Sequence, residues 1–464
     1  MTTAIPPAME RPHFIGVGGA GMSGIAKLLA QRGARVGGSD SRESETVAAL
    51  RAVGVDVRIG HRADQLAPDA SCVVVSSAIR QDNPELVEAG GRGLPVVHRA
   101  EALAALMADT RAIAVAGTHG KTTTTSMLAV SLTELGLSPS YAIGGDLDAP
   151  GSNAAQGTGD IFVAEADESD RSFHHYRPEV AVVLNVELDH HANYASMDEI
   201  YDSFETFAER IRPGGTLVVN ADQEGARKLT ARLTGRPGLT IVTYGEAPDA
   251  DARVVRVLPR GLTSEVTVAI DGGELTFDVS VPGRHYAHNA VAALAAGVAA
   301  GVPAADLARA LGSYTGVRRR LQPKGEAAGV RVIDSYAHHP TEMTADLEAI
   351  RSGAGDGRVL VVFQPHLFSR TKELATEMGQ ALALADSCLV LEIYPAREDP
   401  IPGVTSELII ESARTHGATV EAVAETDAVP DTVAGIARPG DLVLTMGAGD
   451  VTELGPRILA RLAS

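Results

Sequence analysis

Short runs of aliphatic and β-branched residues recur along the chain, each bounded by Gly, Pro, Asn or Asp and followed by a longer Ala- and Leu-rich stretch. This alternation predicts parallel strands joined by crossover helices, an α/β fold. Strands are expected at 13–17, 72–76 and 94–97, and a helix at 100–107 closes a first unit. A second unit opens with a strand at 112–116 and continues through 161–166, 180–186 and 216–219. Residues 264–270 and 274–281 alternate with period two around Asp271-Gly272-Gly273, which predicts an antiparallel hairpin at a sheet edge. A long Ala-rich helix at 286–300 follows, and the polar stretch 322–329 reads as a connection. In the third unit, strands at 330–333, 359–363, 388–393 and 441–445 precede a final helix at 451–462. The expected division is 1–109, 110–321 and 322–464.

Length supports several domains, because 464 residues exceed what one core holds. The 45% hydrophobic and 21% charged content is ordinary for a folded α/β protein, so disorder is not the default reading. A formal charge of −19 disfavours a nucleic-acid partner, which demands a basic face. Cys72 and Cys388 are too few and too isolated for a disulfide framework, and each lies in an apolar run that reads as core. The first eleven residues contain no apolar segment behind a basic patch, and nowhere do eighteen apolar residues follow one another. A cytoplasmic protein with no membrane insertion is expected.

The strongest chemical signal is Gly117-Thr118-His119-Gly120-Lys121-Thr122-Thr123, between an apolar strand and a helix. Backbone N–H groups at a helix start face an anion, a lysine neutralises β- and γ-phosphates, and a following Thr hydroxyl can ligate Mg²⁺. Val115 stands where the longer Walker pattern has its first glycine. A second glycine turn, Gly16-Val17-Gly18-Gly19-Ala20-Gly21, fits a dinucleotide fingerprint with Asp40 beyond it. It reads either as a pyrophosphate site or as a tight strand-to-helix turn that binds nothing. Two further segments, Glu165-Ala166-Asp167-Glu168-Ser169-Asp170 and Asn185-Val186-Glu187-Leu188-Asp189-His190, lie at the carboxyl ends of expected strands, where the ligand crevice of a parallel sheet forms. Together they suit Mg²⁺, although any single Asp there is equally a turn or helix cap.

In this combination the chain resembles the Mur ligases. The resemblance runs through all three units: Gly16 to Ala26, Gly60-His61, Ser76-Ser77-Ala78-Ile79 and Arg99-Ala100-Glu101, then His288-Asn289, Arg318-Arg319-Arg320, Asp334 to Pro340, Phe363 to His366 and Gly447-Ala448-Gly449. It implies an N-terminal Rossmann-like domain for a UDP-sugar, a central P-loop ATPase-like domain with a mixed sheet, and a C-terminal Rossmann-like domain that closes over both. It also implies an ATP-dependent ligase of peptidoglycan precursor synthesis, joining the lactoyl carboxylate of UDP-N-acetylmuramate to L-alanine through an acyl phosphate.

By matching positions, Gly18, Gly19, Ala20, Gly21, Met22 and Ser23 would hold the pyrophosphate, with His61, Ser76, Ser77 and Arg99 as further UDP-sugar contacts. Glu165 and His190 would join Thr122 on Mg²⁺. Asn289 would meet adenine, Asp334 the ATP ribose and Arg320 the phosphates, while Tyr336, His338, His339, His366 and Arg370 would line the reaction site. Read without the resemblance, His338-His339-Pro340 is equally a helix start and Arg318 to Arg320 a surface run. Tyr286, Ser335, Ala337 and Leu367 depart from the family pattern. So does the absence of any Lys between Lys121 and Lys228, where relatives carry a carbamylated lysine; Glu205 offers a substitute charge. A monomer or weak homodimer is expected. The rival readings are a ligase attaching a preformed tripeptide to the same sugar nucleotide, a nicotinamide-dependent oxidoreductase and a non-catalytic nucleotide switch.

Overall fold

The computed structural model describes residues 5–145, 147, 152–187, 193–396 and 398–464, with nothing described of the side chains of Pro7 and Ala20. The apolar runs form three sheets. In the first, five parallel strands lie in the order Asp56–Ile59, Gly37–Asp40, Pro12–Ile15, Cys72–Val75, Val96–His98. Phe14, Ile15, Cys72, Val73 and Val74 are fully buried, as strands covered on both faces require. The strand order reverses direction between Pro12–Ile15 and Cys72–Val75. Such a switch point opens a crevice at the carboxyl ends, here between the glycine turn after Ile15 and Ser76-Ser77.

The second sheet has ten strands, ordered Gly273–Val279, Thr263–Ile270, Ala252–Arg260, Thr240–Gly245, Thr216–Asn220, Val180–Val183, Arg111–Ala116, Ile161–Glu165, Ser140–Ala142, Ala154–Ala155. The period-two pair stands at its edge, as its alternation requires. Strand Arg111–Ala116 pairs in parallel with Val180–Val183 on one side and Ile161–Glu165 on the other. The phosphate-loop sequence therefore emerges between the ends of its two neighbours.

The third sheet runs Gln322–Ala327, Val330–Ser335, Leu442–Met446, Val359–Phe363, Ser387–Leu391, Val420–Val423. The stretch expected as a connection is its edge strand, antiparallel to Val330–Ser335, with the register shifting between Pro323 and Gly325. An edge strand buries one side only, so a polar sequence with a proline is tolerated there.

By packing, one unit comprises residues 1–255, 267–277 and 288–314, and the other 256–266, 278–287 and 315–464. The first holds a core built around Phe14, Ile25, Leu28, Phe162, Phe173, Phe204 and Leu217. The second holds one around Val332, Val362, Leu389, Val443 and Ile458. Both cysteines are buried and free. Among the described residues no helix is long and apolar enough to cross a membrane.

Candidate active site

Helix Lys121–Glu134 begins at Gly120, in the left-handed region at φ 84°, with no side chain capping its first turn. Its early N–H groups thus stay available to an anion. Two glycines make the bend possible. A Cβ on Gly117 would stand 3.0 Å from the Leu184 Cβ, and one on Gly120 would stand 2.8 Å from Asn289 Oδ1. The latter contact puts the expected adenine residue directly behind the loop. Asn185 clasps it from the neighbouring strand: His119 N–H donates to Asn185 Oδ1 at 2.8 Å, and Asn185 Nδ2 donates to His119 O at 3.1 Å. Glu187 N–H donates to Thr118 Oγ1 at 2.9 Å.

Lys121 is held within this frame. Its ammonium donates to the carbonyls of Gly117 (2.6 Å) and Thr118 (3.2 Å) and pairs with Glu168 at 2.8 Å. Burial works against the charge, but Glu168, Asp167 and Glu165 overcome it and raise the lysine pKa. Thr122 Oγ1 donates to Glu165 at 3.0 Å, and Gly144 N–H donates to the same carboxylate at 2.7 Å. Burial lifts the Glu165 carboxyl above its ordinary value in spite of Lys121 and these bonds. Glu205, expected as a possible extra charge, instead binds Arg232 at 2.9 Å. His190 lies outside the described residues, as do Leu188 and Asp189.

At the first sheet, Gly18 N–H donates to Asp40 Oδ2 at 2.8 Å, so the acid beyond the fingerprint fastens the turn. Helix Ala20–Gln31 starts at Gly19, again with no side-chain cap. Met22 is buried in the core, and its N–H and that of Ser23 both return to Gly19 O. Ser23 Oγ accepts from Asn153. Arg99 lies across the turn, with Nη1 3.3 Å from where a Gly21 Cβ would be. It pairs with Asp167 at 2.7 Å and Asp170 at 3.4 Å, and Ser77 Oγ donates to Asp170 at 3.0 Å. Burial resists the Asp167 charge, but Lys121 and Arg99 outweigh it and bring its pKa down to about 2. One acidic segment thus meets the phosphate-loop lysine and two expected UDP-sugar residues. Ser76 is half-buried beside them, and His61 Nδ1 bonds inward to Ser39 Oγ at 2.9 Å.

In the second unit the ends of three adjacent strands gather the remaining expected residues. Arg319 and Arg320 both lie over the Tyr336 ring, at 4.7 and 5.3 Å. Arg319 is fixed by the carbonyls of Gly447 and Gly449, and Arg320 is 3.7 Å from Glu342. Asp334 is fully enclosed and accepts from Thr445 Oγ1 (2.7 Å) and Thr452 Oγ1 (2.6 Å). The His338 ring stands edge-on to those of Tyr336 and His366, at 5.3 and 5.8 Å. Burial, reinforced by Arg370, pushes His338 down to about 3 and His366 to about 4, so both imidazoles are neutral at pH 7. His338 Nδ1–H donates to Tyr336 O at 2.9 Å, leaving Nε2 as an acceptor. Arg370 donates to His366 Nδ1 at 3.3 Å, and His339 caps helix Pro340–Ala354. Leu367 begins helix Phe368–Leu382 at φ 73°, a strained conformation for a bulky side chain.

Three family models match consecutive stretches: the Mur ligase family catalytic domain over residues 11–111, the Mur ligase middle domain over 115–297 and the Mur ligase glutamate ligase domain over 319–449. The chain belongs to the Mur ligase family. This Mur ligase is 75% identical over 463 residues to a UDP-N-acetylmuramate–L-alanine ligase of Streptomyces coelicolor, with 100% of each chain covered. A protein of the same description from Saccharopolyspora erythraea is 54% identical, covering 98% of this chain and 94% of that one. Among solved structures, the UDP-N-acetylmuramate–alanine ligase of Thermotoga maritima superposes with a TM-score of 0.82 at 29% identity, covering 97% of this chain and 98% of its own. A murein peptide ligase of Psychrobacter arcticus gives 0.71 at 25% identity, with 98% and 99% covered.

Sequence reasoning gave no individual role to several residues packed around these positions of the Mur ligase. Glu168, noted only as one of an acidic cluster, is the partner of Lys121. His288, beside Asn289, lies 3.0 Å from Glu246 and 3.7 Å from Asp222. Glu85 is buried beneath His61. Asn83-Pro84-Glu85 announces a helix start, but nothing in that string shows where the carboxylate points.

Proposed function

We propose that this Mur ligase joins L-alanine to the lactoyl carboxylate of UDP-N-acetylmuramate, with ATP converted to ADP and phosphate, in peptidoglycan precursor synthesis in the cytoplasm. The observation that carries the reading is the 75% identity, across the whole chain, to a UDP-N-acetylmuramate–L-alanine ligase. A ligase for a preformed tripeptide would share the phosphate loop, but two solved ligases of that kind stand at 25% and 29% identity, against 75% for the L-alanine ligase of Streptomyces coelicolor. We assign residues 1–109 to the UDP-sugar, 110–321 to ATP and 322–464 to a third domain acting on both, in a monomer or weak homodimer.

A carboxylate is a poor electrophile, so it must first attack the γ-phosphoryl group and become an acyl phosphate. Phosphoryl transfer depends mainly on positioning and charge stabilisation. The uncapped first turn of helix Lys121–Glu134 offers N–H groups to the triphosphate, and Lys121, already fixed by Glu168, offsets its charge. Arg320 adds a second cation, Asn289 behind Gly120 meets adenine, and Asp334 serves the ribose. The Thr122 hydroxyl and Glu165 carboxylate form an oxygen donor set suited to a hard divalent cation, and Gly144, where a Cβ would stand 2.6 Å from Glu165 Oε2, lets the backbone approach that carboxylate. Mg²⁺ held there, with His190 as a further ligand, would spread the phosphate charge. On the sugar side the turn from Gly18 to Ser23, His61, Ser76, Ser77 and Arg99 hold UDP-N-acetylmuramate. His338, His339, His366, Arg370 and Tyr336 receive the amine. With its lone pair on Nε2 and a pKa of about 3, His338 orients the amine by accepting a hydrogen bond and does not retain its proton.

ADP release measured with L-alanine, L-serine, glycine or the tripeptide, with and without UDP-N-acetylmuramate, tests this reading. Turnover is expected with L-alanine and the sugar nucleotide together. Consumption of the tripeptide alone would overturn it in favour of the wall-recycling ligase.

A further inference from the structure

Under the carboxyl ends of the first sheet lies a carboxylate with no access to solvent. Glu85, in the first turn of helix Pro84–Gly91, is 0% exposed and draws side chains from three adjacent strands and their turns. His13 Nε2, from strand Pro12–Ile15, lies 3.4 Å from its Oε1. Ser39 Oγ, from strand Gly37–Asp40, donates to its Oε2. His61, just after strand Asp56–Ile59, brings Nδ1 to 3.2 Å of that oxygen and 2.9 Å of Ser39 Oγ. Burial drives the Glu85 pKa up, but the neighbouring His13, Ser39 and His61 outweigh it and keep the group ionised.

A buried carboxylate is costly to desolvate, and an apolar side chain of similar volume would serve packing at least as well. The arrangement therefore calls for a reason beyond the core. Only His61 among the four reaches solvent, with its side chain 25% exposed against 3% for His13 and 0% for Glu85. Ser39 has one hydroxyl proton and gives it to Glu85, so Ser39 Oγ accepts from His61 and Nδ1 must carry a proton. That leaves Nε2 as the ring nitrogen available to a ligand. The same logic orients metal-bound and catalytic histidines through a carboxylate on the far nitrogen.

We propose that Glu85, with Ser39, is a positioning residue that fixes the tautomer and ring plane of His61 so that Nε2 meets a polar group of the sugar nucleotide. This rests on the reading of His61 as a UDP-sugar contact. The test is a double-mutant cycle on the full-length enzyme, reading KM for UDP-N-acetylmuramate, KM for ATP and kcat for His61→Ala, Glu85→Gln and the pair. Glu85→Gln is expected to raise KM for UDP-N-acetylmuramate about tenfold, the worth of one charge-assisted hydrogen bond, with kcat and KM for ATP within about twofold. The pair should be no worse than His61→Ala alone, because Glu85 acts through that ring.

If His61→Ala raises KM and Glu85→Gln does not, or if the two effects multiply, Glu85 is only structural and the proposal is overturned. If His61→Ala leaves KM unchanged, the contact assigned to His61 fails and the proposal with it, which is a different result from the first. Should Glu85→Gln not fold, Ser39→Ala takes its place in the cycle. Loss of its effect in the His61→Ala background then supports the proposal, and a multiplied effect overturns it.

Discussion

Lys121 shows how much of a site one residue can organise. Its ammonium closes the loop on two carbonyls and answers Glu168, so the positive charge is in place without reorganisation. Lys121→Ala should lower kcat by about 10²- to 10³-fold, in the range found when one preorganised donor is removed. KM for UDP-N-acetylmuramate should stay within about twofold, because the proposed sugar-nucleotide contacts belong to another sheet. Steady-state ADP release at saturating L-alanine checks both, and a matching loss of sugar-nucleotide affinity would count against separate sites. The lysine was legible in the sequence because a loop between strand and helix has one physical use for it. Its partner was not: Glu168 is one of four acids in a six-residue run, and only the fold decides that it turns to Lys121 while Asp167 and Asp170 turn to Arg99. Glu85 was out of reach for the same reason, since its partners come from three strands that are adjacent only in the folded sheet.

At the level of elements, the apolar pattern marked many of the strands but not Gly37–Asp40, Asp56–Ile59, Thr240–Gly245, Ala252–Arg260 or Val420–Val423, and chemistry decided where strands stop. Residues 180–186 read as one apolar run, yet the strand ends at Val183 because Asn185 must turn its amide to the phosphate loop. The edge strand Gln322–Ala327 was missed for the opposite reason, as half-exposed polar residues leave no apolar signature. The clearest element-level prediction concerns Gly120, the start of helix Lys121–Glu134. An alanine there takes on left-handed strain at φ 84° and places a Cβ 2.8 Å from Asn289 Oδ1. Gly120→Ala should cost about 1–2 kcal/mol of stability from the backbone alone. By pushing Asn289 aside it should also raise KM for ATP about five- to tenfold, against a smaller effect on KM for the sugar nucleotide. Thermal melts with and without ATP would show a diminished nucleotide-induced shift, and a shift equal to that of the parent would place Asn289 away from the base.

Over the whole molecule, the strand and helix alternation was enough for the α/β class, while the sugar, carboxylate and amine chemistry rested on motifs scattered across 464 residues. No single motif tells an acyl phosphate from direct condensation, so the intermediate needs its own test. If the lactoyl carboxylate is activated before the amine arrives, a strong nucleophile supplied in place of L-alanine should capture it. Hydroxylamine would attack the acyl carbon, expel inorganic phosphate and leave a hydroxamate of UDP-N-acetylmuramate, with one ADP formed per hydroxamate. Direct attack by an amine on an unactivated carboxylate could not give that product at neutral pH, because the leaving group would be oxide. Hydroxamate detected by its ferric complex, dependent on ATP and lost in Lys121→Ala, is the expected result. ADP formation that proceeds with hydroxylamine but yields no hydroxamate would mean that the phosphoryl group goes to water and not to the muramyl carboxylate.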